Sequence, residues 1–489
     1  MLDRKTCERA RLARDARFDG LFFIGVKSTG VFCRPICPSR TCKPANVVYY
    51  PSAAAASAAG FRPCLRCRPE AAPGSPAWNG TSATVARALS LIREGALNGR
   101  PVEDLSQRLG IGSRHLRRLF QLHLGASPVS IAATQRVLFA KQLLSETDRP
   151  VTEIAFAAGF GTIRRFNAAF RRIYGQSPSG MRRRQRSGGT SSAPFHCRLT
   201  LPFRPPFNWP AMLAFYRQRA VPGVESVGET FYARTIRLDR TTGVIRLEAA
   251  PGGTKLLLTL SLNDAAGLLR VVERVRRMFD LNADMAAIYR VLERDPLLAR
   301  SIEQNSGLRL PGIWDPFEAA VRAVVGQQIS VAAARTVTGR IAALAGREVE
   351  TTEGGTGLTR YFPSPRELAA ADASAWGMPE KRAATIKNLA DAVLAGKIVL
   401  QADESLSAFT RRMTALPGIG EWTAHYVAMR GLGEPDAFPA GDLGILNRLK
   451  SGPQRPGRRE VARRTETFRP WRAYAAIYLW NLKETENGL

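Results

Sequence analysis

Six of the seven cysteines in this 489-residue chain fall within its first 67 residues, and two pairs of them have the spacing of metal ligands. Cys33-Arg34-Pro35-Ile36-Cys37 is a C-x3-C pair and Cys64-Leu65-Arg66-Cys67 a C-x2-C pair, with 26 residues between Cys37 and Cys64. Two such pairs supply four thiolates to a tetrahedral Zn2+, and a unit of about 70 residues needs a staple of this kind. A metal-bound sulfur stays thiolate at neutral pH, which is also its nucleophilic form. The spacing fits a purely structural zinc ribbon equally well, so reactivity does not follow from it. Cys42 lies outside the pattern and reads as a spare thiol.

A second group of residues lies far along the chain. Leu416-Pro417-Gly418-Ile419-Gly420 sits between two helical stretches, 406–415 and 422–432. A glycine turn leading into a helix leaves backbone N–H groups free to hold a phosphate, which places Gly418 and Gly420 at the contact. Taken alone, the same five residues fit any helix–helix turn. Asp442 precedes a helical run over 443–450, where a carboxylate caps the helix and stays ionised. An ionised carboxylate can stabilise developing positive charge and help to activate water.

Between these groups the chain repeats itself. Pro101-Val102 recurs as Pro150-Val151, and Leu109-Gly110-Ile111 as Ala158-Gly159-Phe160, both offset by 49. Arg114, Leu116, Phe120 and Leu124-Gly125 recur as Arg164, Phe166, Phe170 and Tyr174-Gly175, offset by 50. Each copy reads as a helix, a glycine turn and a second amphipathic helix, the helix-turn-helix pattern. The second helices start near Ser113 and Thr162, and a linking helix runs over about 131–145. Their polar faces carry Arg114, Arg117 and Arg118 in one copy and Arg164, Arg165, Arg171 and Arg172 in the other. A charge run is usually a solvated face, but two runs on the reading helices of a repeated unit favour DNA contact. Tandem units on one chain can occupy successive major grooves without dimerising.

Charge agrees with that reading. The chain has 71 Lys+Arg against 41 Asp+Glu, a net +30, and a hydrophobic fraction of 45% that suits globular cores. An excess of this size points to a polyanion. Residues 1–194 hold 31 basic and 11 acidic residues, a net +20, and the remainder a net +10. The Pro-rich stretch 71–76 and the Gly/Ser-rich stretch 186–194 read as linkers. Residues 195–275 alternate like strands, as at 243–248 and 255–260, and the chain is mostly helical from about Leu268. The N-terminus has no apolar core of a signal peptide and no apolar run is long enough to span a membrane, so a cytoplasmic, nucleoid-associated protein without a membrane partner is expected.

Residues 22–35, from Phe22 to Pro35, together with Gly60-Phe61-Arg62-Pro63-Cys64-Leu65-Arg66-Cys67-Arg68-Pro69, resemble the N-terminal domain of Ada-type DNA repair proteins. The resemblance covers almost all of residues 1–70. It implies that Cys33 accepts a methyl group from a DNA methylphosphotriester, with Cys37, Cys64 and Cys67 as the other zinc ligands. It also places Thr29 and Arg40 near the phosphate. Turning one thiolate into a thioether changes the formal charge of a four-thiolate zinc site from −2 to −1 and weakens its repulsion from the DNA backbone. Residues 81–184 resemble the DNA-binding domain of AraC-type regulators, most diagnostically at Ala155-x-x-Ala158-Gly159-Phe160 and Phe166-x-x-x-Phe170-Arg171. A methylated Cys33 would then turn this half into a transcription activator, with operator DNA and RNA polymerase as partners.

The glycine turn followed by Glu421-Trp422-Thr423-Ala424 and Asp442 looks like the helix-hairpin-helix base-excision glycosylases. The wider resemblance, over about 197–485, is to AlkA-like methylpurine DNA glycosylases. It includes Leu201-Pro202-Phe203-Arg204, Trp314-Asp315-Pro316-Phe317-Glu318, Gly326-Gln327-Gln328-Ile329-Ser330 and Pro439-Ala440-Gly441-Asp442. The family's catalytic aspartate falls on Asp442. Trp422, Tyr426 and Trp480 match aromatic positions near the flipped-base pocket, and Gln328 matches the wedge that fills the gap. Trp471, Tyr474 and Tyr478 form one stripe that reads as core. Family members that cut the backbone place a lysine where this chain has Trp422, so a monofunctional enzyme is expected. No cysteine follows Cys197, which excludes the iron–sulfur cluster of some relatives. Phe195-His196-Cys197-Arg198 has the wrong order for the guanine O-alkyl acceptor found in many Ada-type proteins, so Cys197 is expected to be inert.

The reading is a multidomain α+β protein: a small zinc-stapled α/β domain (1–72), an all-α tandem helix-turn-helix domain (80–186), an α/β subdomain (195–275) and an all-α helix-hairpin-helix glycosylase domain (276–489). Its function is a response to alkylated double-stranded DNA that joins methyl transfer, transcription control and excision of bases such as 3-methyladenine. The rival is a transcription regulator whose C-terminal unit binds DNA without catalysis.

Overall fold

The computed structural model describes residues 2–73, 83–183, 195–349, 357–450 and 455–482. The first linker beyond Pro73 and all of the second, 186–194, lie outside the described residues. No described helix is long and apolar enough to cross a membrane.

The first unit is built on four short strands, β1 (Phe23–Val26), β2 (Val31–Cys33), β3 (Val47–Tyr50) and β4 (Arg62–Pro63). They lie in the order β3-β1-β2-β4, antiparallel except that β4 runs parallel to β2. Gly30, at φ +65°, closes the turn between β1 and β2 in a conformation that favours glycine. The core here is small: Phe22, Ile24, Val26, Val47 and Tyr49 pack with Cys7, Cys33, Cys64 and Cys67. So few apolar side chains match the need for a metal staple.

The repeat folds as two helix-turn-helix units. Val102–Arg108 and Ser113–Leu124 form the first, Val151–Ala157 and Ile163–Tyr174 the second. Both reading helices end on a left-handed glycine, Gly125 (φ +65°) and Gly175 (φ +71°), so the 50-residue offset marks matching C-caps. The helix linking the units, Pro128–Glu146, starts three residues earlier than the apolar pattern suggests, because Ser127 caps it through Ser130 N (3.2 Å) and Pro128 suits a first turn.

The third unit opens with an antiparallel sheet, β5 (Phe195–Pro202), β6 (Glu225–Val227), β7 (Phe231–Leu238), β8 (Thr241–Ala249) and β9 (Lys255–Leu262), in the order β5-β9-β8-β7-β6. Leu256, Leu258, Leu260 and Leu262 are all buried, the period-2 signature that the sequence carries. The helices Trp209–Arg219 and Leu268–Met278 share a core with this sheet, and so do Phe166, Phe170, Tyr174 and Met181 of the second helix-turn-helix unit. A second core gathers the helices from Met285–Leu292 to Arg472–Asn481, with Trp471, Tyr474 and Tyr478 inside it as the stripe suggests.

Polar contacts bind the units together. The buried Glu70 carboxylate accepts from buried Lys141 Nζ of the linking helix at 3.0 Å. Ser52 Oγ donates to the Leu124 carbonyl at the end of the first reading helix (2.8 Å), and Arg204 Nε donates to the Asp19 carbonyl (2.8 Å).

One further network joins the sheet to the helix Pro316–Val325. Arg234 of β7 pairs with Glu318 at 2.7 Å, and Arg322 bridges Glu318 (2.9 Å) and Glu225 (3.0 Å), while Tyr232 donates to Glu225 at 2.6 Å. Arg234, Glu225 and Glu318 are almost wholly buried. Burial pushes the Glu225 carboxyl up, but Arg322 and Arg234 pull it further down, leaving it below the ordinary carboxylate value. Its contribution to stability is therefore fully present above the ordinary carboxylate value and is lost as pH falls below it through the lowered native value. Removing one partner strands the others in a dry core. Glu318→Ala is expected to destabilise the chain by about 3–5 kcal/mol, read as a lower midpoint in urea titration.

Candidate functional sites: a thiolate cluster, two basic helices and a carboxylate held by indoles

The four cysteines of the two pairs converge. Cys33 ends β2, opposite Ile24, and Cys64 follows β4, with its N–H bonded to the Phe32 carbonyl (2.9 Å). Two tight turns, Cys37 N to Arg34 O (3.1 Å) and Arg68 N to Cys64 O (3.2 Å), return the second cysteine of each pair to the first. All four Sγ atoms lie within 4.8 Å of one another. A tetrahedral zinc with Zn–S bonds of about 2.3 Å needs sulfurs roughly 3.8 Å apart, so the cluster fits the ion. Cys42 is outside it, with Sγ 4.0 Å from the Arg40 carbonyl. Thr29, in the turn between β1 and β2, and Arg40 are both exposed.

Arg34 is a contact that the spacing does not reveal. Its N–H donates to Cys67 Sγ (3.3 Å) and its Nη1 to the Cys67 carbonyl (3.1 Å). Its guanidinium pairs in a buried bridge with Asp19, through Nε to Oδ1 at 2.8 Å and a second, shorter contact. An N–H to a thiolate sulfur orients the ligand and draws off part of its negative charge.

On the reading helices, Leu116, Phe120 and Leu124, and Phe166, Phe170 and Tyr174, turn inward. Arg114, Arg117 and Arg118, and Arg164, Arg165, Arg171 and Arg172, are exposed on the other faces. Arg117 makes only a surface pair with Glu103 (2.9 Å), of the kind that salt screens and DNA phosphate can displace. Cys197 lies in β5, where burial pushes its thiol up to about 12 and keeps it protonated.

The C-terminal residues meet at Asp442. It caps the helix Leu443–Arg448, its Oδ1 accepting from Ile445 N at 3.2 Å. The same oxygen accepts from Trp480 Nε1 at 2.9 Å, and Oδ2 from Trp422 Nε1 at 3.0 Å. Trp422 stacks on Tyr426 with centroids 5.2 Å apart and planes at 20°. Two of the residues drawn from the sequence thus hold a third, Asp442, and a fourth, Tyr426, stacks on one of them. Gly444 makes the approach possible, since a Cβ there would stand 3.0 Å from Asp442 Oδ1 and 3.3 Å from Trp480 Cδ1. The loop bearing Asp442 is tied back to the hairpin by Phe438 N, which donates to His425 Nδ1 at 3.1 Å. Burial holds His425 below its usual value, so the imidazole is neutral and able to accept.

Gly418 takes φ +85°, and a Cβ there would collide with Thr385 Oγ1, whereas the space around Gly420 is open. The helix expected over 422–432 is instead Glu421–Val427 followed by a wider, π-helical turn, Ala428–Leu432. The widening turns the Arg430 carbonyl to Ile313 N (2.7 Å) and lets Arg430 Nη1 donate to Tyr426 Oη (2.9 Å). Gln328 is exposed at φ +56°, next to Gln327.

With this geometry in view, comparison with known proteins defines the class. Residues 6–70 match the metal binding domain of Ada, residues 105–184 a helix-turn-helix domain, and residues 198–315 the AlkA N-terminal domain. The chain's fold is similar to that of a 3-methyladenine DNA-glycosylase from Archaeoglobus fulgidus, with a TM-score of 0.50 and 22% identity over 57% of this chain and 96% of that one. It is 36% identical over 292 residues to DNA-3-methyladenine glycosylase 2 of Escherichia coli, covering 58% of this chain and 96% of the relative. Over 484 residues, 99% of its length, it is 41% identical to 97% of a Mycobacterium tuberculosis protein called "Probable bifunctional transcriptional activator/DNA repair enzyme AlkA". The chain belongs to this family of bifunctional transcriptional activator/DNA repair enzymes, and its four-cysteine cluster is a zinc site.

Gly444→Ala tests the indole cradle. Its methyl group displaces Trp480 from Asp442 by a few tenths of an ångström. Base release is expected to slow about tenfold in single-turnover assays, with little change in melting temperature.

Proposed function

We propose that this protein meets DNA alkylation with three linked activities: methyl capture at Cys33, transcription control through the paired helix-turn-helix units, and hydrolytic excision of alkylated purines such as 3-methyladenine at Asp442. The observation that carries the enzymatic part is the Asp442 carboxylate, fixed by two indole N–H groups and a backbone N–H beside a stacked aromatic pair. DNA is the partner throughout.

In excision, the N-glycosidic bond breaks with its electron pair leaving on the base, and water adds at the sugar carbon. Positive charge develops on the sugar, where Asp442 offers compensating negative charge and an acceptor for the water proton. An alkylated purine already carries positive charge and leaves neutral, so it needs little help from a general acid. The π faces of Trp422, Tyr426 and Trp480 suit a flipped cationic base by stacking and cation–π attraction. Gly418 and Gly420 hold the backbone through the hairpin turn, and Gln328 fills the gap in the duplex. With Trp422 in place of a Schiff-base lysine, the reaction stops at the abasic site.

In methyl capture, the Cys33 thiolate forms an S–CH3 bond as the O–CH3 bond of the phosphotriester breaks, and the phosphate departs as a diester anion. Bound zinc supplies the thiolate form of the sulfurs. Thr29 and Arg40 approach the phosphate, and Arg114, Arg117, Arg118, Arg164 and Arg165 hold the operator. Loss of one negative charge at the cluster strengthens that hold, and RNA polymerase is the partner an activator requires.

Asp442→Asn keeps the cap and the shape of the side chain but removes the charge. Release of 3-methyladenine from methylated duplex DNA is expected to fall by at least about a hundredfold. Undiminished release would make the C-terminal unit a DNA-binding module only. For the first unit, mass spectrometry after incubation with methylphosphotriester DNA is expected to find Cys33 heavier by one CH2, with Cys37, Cys64 and Cys67 unmodified. An unchanged Cys33 would leave a structural zinc site.

A further inference from the structure

The loop between the helices Pro316–Val325 and Val331–Ala345 holds two adjacent glutamines with different surroundings. Gln328 is exposed and left-handed, a conformation that is strained for a residue with a Cβ and persists only where its neighbours impose it. Gly326 N to the Arg322 carbonyl (3.0 Å) closes the preceding helix, and Ser330 Oγ, accepting from Ala333 N (3.2 Å), caps the following one. Between these anchors Gln327 N donates to the Val324 carbonyl (3.3 Å) and Ile329 packs on the core, while the side chain of Gln327 reaches out of the loop to the hairpin. Its Nε2 donates to the Gly418 carbonyl (3.0 Å) and to Thr423 Oγ1 (3.0 Å).

Those two acceptors lie in the hairpin turn and in the first turn of the helix it leads into. Gly418 is the left-handed residue of the turn, packed so closely on Thr385 that no Cβ fits, and Thr423 is buried in the helix that follows. The turn is therefore held between Thr385 on one side and Gln327 on the other. A primary amide carries two N–H donors at one nitrogen and so can bridge both acceptors at once without a charge.

We infer that Gln327 is a positioning residue for base extrusion: it ties the wedge loop to the phosphate-holding turn, so that seating the hairpin on the backbone also seats Gln328 in the duplex. The inference rests on the glycosylase reading above. Without the tie, the turn still grips DNA, but Gln328 relaxes toward ordinary backbone angles and loses its aim. Gln327 touches neither the base nor the sugar and acts only through its neighbour.

A double-mutant cycle on the full chain tests this, with kcat/KM for 3-methyladenine release from duplex DNA as the readout. Gln327→Leu is expected to lower kcat/KM about tenfold in the otherwise unchanged protein and less than about twofold in a Gln328→Ala background, because the residue it acts through has gone. The fluorescence rise of 2-aminopurine placed beside the lesion is expected to diminish in parallel, while affinity for undamaged duplex stays within about twofold. Gln327→Glu, which keeps the size and removes the donors, serves if the leucine variant folds poorly. Equal losses in both backgrounds, no loss in the first, or a Gln328→Ala protein as active as wild type would each overturn the inference. The glycosylase reading itself falls only if Asp442→Asn releases base as fast as the unchanged protein.

Discussion

The buried charges of Arg234, Glu318, Arg322 and Glu225 set the frame on which the C-terminal chemistry is built. Pro316–Val325 is buried on almost every side, with Ala319, Ala320, Val321, Val324 and Val325 wholly inside. A helix so placed has apolar contacts in all directions and little to choose between neighbouring rotations. The ion network removes that freedom, because Glu318 and Arg322, one turn apart, must both face the arginine and glutamate of the sheet. Such networks add little net stability against an apolar replacement, but any other rotation leaves a charge unpaired in a dry core. The helix therefore delivers Gly326, Gln327 and Gln328 to the hairpin in one orientation.

The same logic joins units that look separable in the sequence. Asp19 carries two arginines: its carboxylate holds Arg34 beside the zinc ligands, and its carbonyl accepts from Arg204 of the third unit. Arg204 is almost wholly buried and bonds to the Asn282 (2.6 Å) and Ala283 (3.4 Å) carbonyls besides. Burial pushes its guanidinium down to about 9, with Asp284 and Asp19 opposing the shift. Three backbone carbonyls, of Asp19, Asn282 and Ala283, accept from this cation. Glu70 and Lys141 tie the first unit to the second with a directly matched and buried pair. The exposed arginines of the reading helices lie outside these matched sets, which is where a charge of +30 becomes useful to a DNA-binding protein.

What the sequence made legible follows from local rules. The cysteine quartet is visible because ligand spacing is a property of short turns. The repeat is visible because its offset is fixed by two glycine C-caps, and Asp442 as a cap is visible because capping reaches only three residues. The burial of Trp471, Tyr474 and Tyr478 is visible because a stripe at helical spacing has one place to go. Arg34 with Asp19, His425 with the Phe438 N–H, Gln327 with Gly418, and Trp480 with Asp442 were not legible. Their partners lie between 13 and 91 residues away and meet only once helices from different stretches pack. The π-helical turn at Ala428–Leu432 was hidden for the same reason, since its Arg430 carbonyl pairs with the distant Ile313 N–H.

Asp442 shows how these non-local contacts become chemistry. An indole N–H lies in the plane of its ring, so a tryptophan that donates to a carboxylate spends its edge and keeps its faces. Trp422 and Trp480 can thus fix both oxygens of Asp442 while one face of Trp422 rests on Tyr426. In the excision we propose, the carboxylate is already solvated by protein dipoles before any base arrives, so little reorganisation is left for the moment when charge develops on the sugar. A lysine at position 422 would bring an amine to this point and a different reaction. The indole that stands there instead fixes the carboxylate and, in the proposed pocket, offers an aromatic surface to a base whose positive charge is the mark of the damage.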